Sequence, residues 1–228
     1  MKRVAALLAL LACLFVSTDA EEKLPKPARE FRGMWIATVA NLDFPSKKGL
    51  PAEQQKTELV ALLDLAVELK MNAVAFQVRS MGDAVYLSET EPSSPFVTGV
   101  TGKALEFDPL KFLIDEAHAR GILVHAWFNP YRATHASIKD ELPATHVSKR
   151  HSDWLRPYST YNMLDPGLPE VRSYLSDVVI DVVRRYDVDG VHFDDYFYPY
   201  LDANLTDFPD SATFDAYKNG GGKLAKAD

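Results

Sequence analysis

The sequence predicts an α/β protein of the (β/α)8 TIM-barrel type, with only about the first four β/α units present in the chain. Three observations carry that expectation. Apolar, strand-like runs alternate with amphipathic helical stretches, which implies parallel βαβ units. The helix-to-strand connections are short ("KMN", "RG", "YDVD"), whereas the strand-to-helix connections are long, roughly Ser80 to Phe107 and Arg132 to Leu168. Long loops beyond the C-terminal ends of parallel strands are where barrels and open α/β sheets hold ligands. No Gly-rich phosphate loop follows any strand, which counts against the nucleotide-binding sheets and leaves the barrel.

The elements follow in order. Residues 33–39, "GMWIATV", read as a first strand. A helix over about Ala52 to Lys70 places Leu59, Leu62, Leu63 and Ala66 on one face. "NAVAFQVR", 72–79, is a second strand. Asp108-Pro109 opens the next helix as N-cap and first-turn proline. Leu110, Leu113, Ile114 and Ala117 form its apolar stripe, and Gly121 ends it. "ILVHAWFNPY", 122–131, is a third strand. Pro169 begins a helix carrying Val171, Tyr174, Leu175, Val178 and Val182 on one side, and "GVHFDDYF" is the fourth strand. A complete barrel takes about 250 residues. With four strands legible and a tail reading "KNGGGKLAKAD", residues 31–228 are expected to be the N-terminal part of a barrel.

Ahead of it, residues 1–20 read as an export signal. Lys2 and Arg3 precede the apolar run Val4 to Val16, too short to span a bilayer, and cleavage after Ala20 fits the small residues there. Cys13, the only cysteine, lies inside this segment. "LLAC" also loosely resembles a lipoprotein box, which would anchor Cys13 to the outer membrane through lipid. Residues 21–30 form a polar linker. Both readings export the protein to the periplasm or cell envelope. Hydrophobic residues make up 47% of the chain, enough for a sizeable core, and a net charge of -7 argues against a nucleic-acid groove.

Side chains alternate along a strand, and this alternation locates the candidate site. On the fourth strand Val191 and Phe193 should meet helices, which turns His192 and Asp194 inward. On the third, His125, Trp127 and Asn129 point inward; on the second, Gln77 and Arg79 do. Asn41 and Asp43 follow the first strand at the same rim, and Tyr131 and Tyr196 stand at the C-terminal ends of the third and fourth strands. Asp194 and Asp195, side by side in an apolar run, are the candidate catalytic residues, because carboxylates are costly to bury unless paired, hydrogen-bonded or used. The inward-pointing and rim residues, Asn41, Asp43, Gln77, Arg79, His125, Trp127, Asn129, Tyr131, His192 and Tyr196, are candidate substrate contacts. Plainer readings stand beside these. Asp195 could be a loop residue bonded to amides, His125 an interior histidine and Trp127 plain packing. Asn41 and Asp43 could bond only the turn before Pro45, and Asp165 in "LDPG" reads as a turn former.

"REFRGMWIATVANLDFPS", "NAVAFQVR", "HAWFNPYR" and "VDGVHFDDYFYPY" together resemble the glycosyl-hydrolase-like 10 family, from about Glu30 to the end of the chain. The resemblance implies a (β/α)8 barrel and hydrolysis of bacterial cell-wall glycan, namely peptidoglycan strands lacking stem peptides. It also implies a link to the cell-division machinery and no cofactor. Glycoside hydrolysis uses two carboxyl groups. Asp194 is placed as nucleophile or base, with the partner acid expected on a later strand. Two other readings remain open. One is a carbohydrate-binding or scaffold protein of the envelope that kept the aromatic rim without the catalytic machinery. The other is a metal-dependent hydrolase using His125, His192, Asp194 and Asp195, although no H-x-H or H-E-x-x-H cluster is present and no metal is assigned.

Overall fold

A computed structural model describes residues 30–194, 196–200 and 207–225. The export signal with Cys13, all of the linker but Glu30, and Asp195 therefore lie outside the described residues. The account below concerns the compact unit that begins at Phe31. In chain order its elements are β1 (Gly33–Ile36), α1 (Ala52–Glu68), β2 (Ala73–Arg79), α2 (Pro95–Thr98), α3 (Pro109–Ala119), β3 (Leu123–Phe128), β4 (Arg132–His135) and α4 (Val147–Arg150). They continue with β5 (Leu155–Tyr158), β6 (Tyr161–Leu164), α5 (Pro169–Arg185), β7 (Gly190–Phe193) and α6 (Ser211–Asn219).

Strands β1, β2, β3 and β7 form one parallel sheet in that order. The chain is thus a mixed α/β fold built on a parallel sheet. The register aligns residues in rows across it. Trp35, Ala75, His125 and Gly190 share one row; Gln77, Trp127 and His192 share a row further toward the C-terminal end. On the other face Ile36, Val74, Phe76, Val124, Ala126 and Phe128 form the main core with Leu59, Leu63 and Ala66 of α1, Leu110, Leu113, Ile114 and Ala117 of α3, and Val178 and Val182 of α5. These are the apolar stripes of the three helices, and burying them is what fixes each helix against the sheet. The Asp108 carboxylate accepts from the Lys111 amide at 3.1 Å, so the Asp-Pro pair caps α3.

The strands are shorter than their apolar runs. β1 stops at Ile36 because the amides of Thr38 and Val39 donate to Gln77 Oε1 instead of to a neighbouring strand, and a 3-10 turn follows at Val39–Asn41 with Ala40 at φ 54°. β3 stops at Phe128, just before Asn129-Pro130, where the proline has no amide to donate.

The long connection after β3 is not irregular. It folds into an antiparallel sheet of order β4-β6-β5. β5 and β6 form a hairpin whose turn carries Ser159 at φ 51°. β5 is an edge of this sheet, where Pro157 is tolerated. Among the described residues no helix is long and apolar enough to cross a membrane.

Candidate active site

The C-terminal end of the parallel sheet brings four polar side chains into one hydrogen-bonded line. Gln77 Oε1 accepts from the amides of Thr38 at 2.8 Å and Val39 at 2.9 Å. Gln77 Nε2 donates to Asn129 Oδ1 at 2.5 Å, and Asn129 Nδ2 donates to Asp194 Oδ2 at 2.5 Å. Gln77 and Asn129 are fully buried. Asp194 also accepts from Trp127 Nε1 at 3.3 Å and, through Oδ1, from the Tyr196 amide at 3.1 Å. Every one of these partners of Asp194 is a donor.

Aromatic rings floor the same face. Trp35 packs on Trp127 at 4.9 Å between ring centroids, and edge-on against His192 at 5.1 Å. Trp127 is buried, but Trp35 is 54% exposed and offers an open flat surface next to Trp127, the ring that donates to Asp194. The sequence reading omitted Trp35 from the site. Its alternation with Ile36, an apolar neighbour that joins the core, was the available signal. His192 sits between these rings, and its Nε2 is buried with no hydrogen-bond partner among the described residues.

Other residues expected here are placed elsewhere. Arg79 does not share the face of Gln77. The β2–β3 register shifts between them, pairing Gln77 with Trp127 but Arg79 with Phe128. Such a bulge moves the following side chain to the opposite face. Arg79 is therefore buried on the helix side, where it forms a two-pronged pair with Glu91 at 2.8 and 2.7 Å and donates to the carbonyls of Asn129 and Pro130. Tyr174 completes that pair by donating to Glu91 Oε1 at 2.6 Å. Burial works against the Arg79 charge, but Glu91 beside it holds its pKa above the usual range.

Asn41 and Asp43 serve their own loop. Asn41 Nδ2 donates to the carbonyls of Pro45 and Phe96, and Asp43 Oδ2 accepts from the Ala37 amide at 2.7 Å. His125 lies in the Gly190 row, below His192, with its ring against Phe31 at 5.2 Å. Tyr131 lines an apolar groove of about 340 Å³ with Phe128, Phe193 and Phe197, on the helix side. Asp165 is a turn former: its Oδ1 accepts from the Gly167 amide at 2.8 Å, and Arg156 pairs with it at 2.8 Å.

Beneath the loops two more titratable groups surround the Arg79–Glu91 pair. Burial, and then the charge of Glu91, push the Asp83 carboxyl up to about 7. Burial pushes the His146 imidazole down to about 4. Among the described residues no three His, Cys, Asp or Glu side chains converge as a metal site would require.

A family model described as glycosyl hydrolase-like 10 matches residues 30–228. The chain is 45% identical over 191 residues to "Glycosyl hydrolase YngK" of Bacillus subtilis, covering 83% of this chain and 37% of that protein. It is 39% identical over 249 residues to "Glycosyl hydrolase DigH" of Escherichia coli, covering 97% of this chain and 56% of that protein. The chain thus spans about half or less of the length of these relatives. Among solved structures it is similar to a chitobiase of Flavobacterium johnsoniae, with a TM-score of 0.51 at 14% identity over 87% of this chain and 28% of that one, a likeness of fold alone.

Proposed function

The chain belongs to the glycosyl hydrolase-like 10 family, and from that premise we propose that it is the part of an exported glycoside hydrolase that supplies Asp194 as nucleophile or general base. The observation that carries this reading is the surroundings of Asp194. Three N–H donors hold both of its oxygens, from Trp127, Asn129 and Tyr196. A surrounding made only of donors suits an ionised carboxylate that attacks an anomeric carbon or takes a proton from water, and does not suit a proton donor. The exposed ring of Trp35, packed on Trp127, supplies an apolar surface for a sugar face.

The four parallel strands are, on this reading, one arc of a closed (β/α)8 barrel, and the second carboxyl group that glycoside hydrolysis needs stands on another arc. The substrate we propose is bacterial cell-wall glycan, as peptidoglycan strands without stem peptides, met in the periplasm or envelope. The export-type leader at residues 1–20 and the family motifs support that choice. A glycan-binding protein without turnover is the second reading, favoured by the Trp35–Trp127 wall, which needs no carboxylate to hold a sugar.

One experiment separates them. Reducing ends released from peptide-free glycan strands are measured for a full-length version and for its Asp194→Asn variant. Loss of a nucleophile or base is expected to lower turnover by roughly 10³-fold or more with the fold intact. Undiminished turnover would move the role away from Asp194, and no turnover by the unmodified enzyme would favour the binding protein.

A further inference from the structure

Arg132 opens β4, three residues past Asn129, and only 8% of it is exposed. Buried guanidinium groups are ordinarily paired with anions. Arg79 has Glu91, and the less buried Arg156 has Asp165. The Arg132 guanidinium has no hydrogen bond or ion pair to any described residue. Its guanidinium lies instead against two rings, 4.1 Å from the centroid of Tyr196 and 5.2 Å from that of Tyr161. Rings stabilise the cation through its flat face and leave its in-plane N–H donors unused.

Arg132 borders a cleft of about 370 Å³ whose other walls include Tyr158, Met163, Tyr196 and Tyr200. That size falls in the range of small-ligand sites. The charge is felt nearby: burial, and then Arg132, hold the His135 imidazole below its ordinary value. The cleft is joined to the candidate catalytic group through one residue. Tyr196 donates its amide to Asp194 Oδ1 at 3.1 Å and lays its ring over Arg132.

We infer that Arg132 and its tyrosines form a subsite for a carboxylate-bearing sugar unit of the glycan, beside the unit held at Asp194. The tyrosine rings offer apolar surface to a sugar ring, and the unused guanidinium donors match the geometry of one carboxylate. A single guanidinium neutralises one negative charge, which suits an acidic sugar better than a doubly charged phosphate ester. The inference rests on the glycan reading above.

Binding to the Asp194→Asn form of the chain tests it without cleavage. The ligands are peptide-free glycan strands with free carboxylates, and the same strands with those carboxylates reduced to alcohols. The acidic strands are expected to bind about tenfold more tightly, the scale of one charge-assisted bidentate contact. Adding Arg132→Gln should erase that preference while affinity for the reduced strands stays the same. Arg132→Lys, which keeps the charge without the planar fork, should restore only part of it. If Arg132→Gln shows no cooperative unfolding, the Arg132-intact protein decides alone: a preference that weakens with added salt supports the subsite. Equal affinity for both strands overturns the carboxylate subsite and leaves the glycan reading standing, as does a preference that survives Arg132→Gln. Binding of neither strand overturns both.

Discussion

Asn129 donates its side-chain amide to Asp194 Oδ2 at 2.5 Å, and the direction of that hydrogen bond is set on the far side of the sheet. Two backbone amides, of Thr38 and Val39, occupy Gln77 Oε1, so Gln77 must turn its NH2 toward Asn129. Asn129 is then left with its own NH2 facing Asp194. Backbone groups cannot be flipped, so the polarity of the whole line is fixed by the fold rather than by the carboxylate.

Asn129→Asp would set a second carboxylate against Asp194. Two such groups at this spacing cannot both ionise readily, so the proton on the pair is held to higher pH. For the glycosidase proposed above, the acidic limb of the kcat/KM profile should move up by about one unit or more. Asn129→Ala should instead leave the limb in place and lower kcat, by up to about 100-fold, through loss of positioning. A pH–rate profile checks both. An unmoved limb in Asn129→Asp would mean that Asp194 is not the titrating base.

Arg79 and Glu91 make a separate prediction, about stability. Their side chains are 1% and 0% exposed, and Glu91 is shared with Tyr174. Arg79→Met leaves Glu91 buried without its cation, at a cost of about 3–5 kcal/mol. Arg79→Met with Glu91→Gln removes both charges and keeps an acceptor for Tyr174, so much of that loss should return. Urea unfolding of the single and double variants measures the difference. Equal losses would mean that Arg79 acts by packing rather than by charge.

The parallel strands, the three long helices and the Asp-Pro cap were legible because each is written in local periodicity: Leu110, Leu113, Ile114 and Ala117 recur at helical spacing and are buried. Alternation also assigned the face of Phe193, which lies in the groove beside Val178 and Val179 of α5. The same rule failed at Arg79, because a bulge depends on how two strands pair and leaves no mark in either alone. The β4–β6 sheet was missed for a related reason. "RATH" and "LRPYSTYNML" are short, mixed and hold a proline, and only their mutual pairing makes them strands. Arg132 was invisible as well, since nothing in the sequence shows that a buried arginine lacks an anion.

Stability should depend on pH through two opposed groups near Arg79 and Glu91. Asp83 keeps its proton in the fold up to about 7, well above its ordinary value. It therefore contributes stability that is full below its unfolded pKa and is lost as pH rises through about 7. His146, held down to about 4, contributes stability that is full above its unfolded pKa and is lost as pH falls through about 4. Between roughly pH 4 and 6.5 the two slopes have opposite sign and nearly cancel. Asp83→Asn should unmask the histidine, so that urea midpoints rise with pH across that window. His146→Gln should unmask the aspartate, so that they fall. Flat midpoints in both variants would contradict the burial of these two groups.

The last prediction decides whether His125 touches substrate or only packs. Gly190 and His125 face each other across the β3–β7 pair. A Cβ on Gly190 would lie 2.8 Å from Nδ1 and 2.9 Å from Cε1 of the His125 ring, closer than real contacts allow. The ring is held in place by Phe31. Gly190→Ala should therefore destabilise by about 1–3 kcal/mol, the usual cost of overpacking. His125→Ala opens the space, so the double variant should regain most of the loss, with a coupling of at least about 1 kcal/mol in a double-mutant cycle. His125 sits a row below His192, away from the Asp194 rim, so His125→Ala in the proposed glycosidase should keep kcat/KM within about threefold, under 1 kcal/mol of transition-state stabilisation. Additive effects in the cycle would show that the ring swings away freely. A 100-fold fall in kcat/KM for His125→Ala with stability retained would return the histidine to the substrate site.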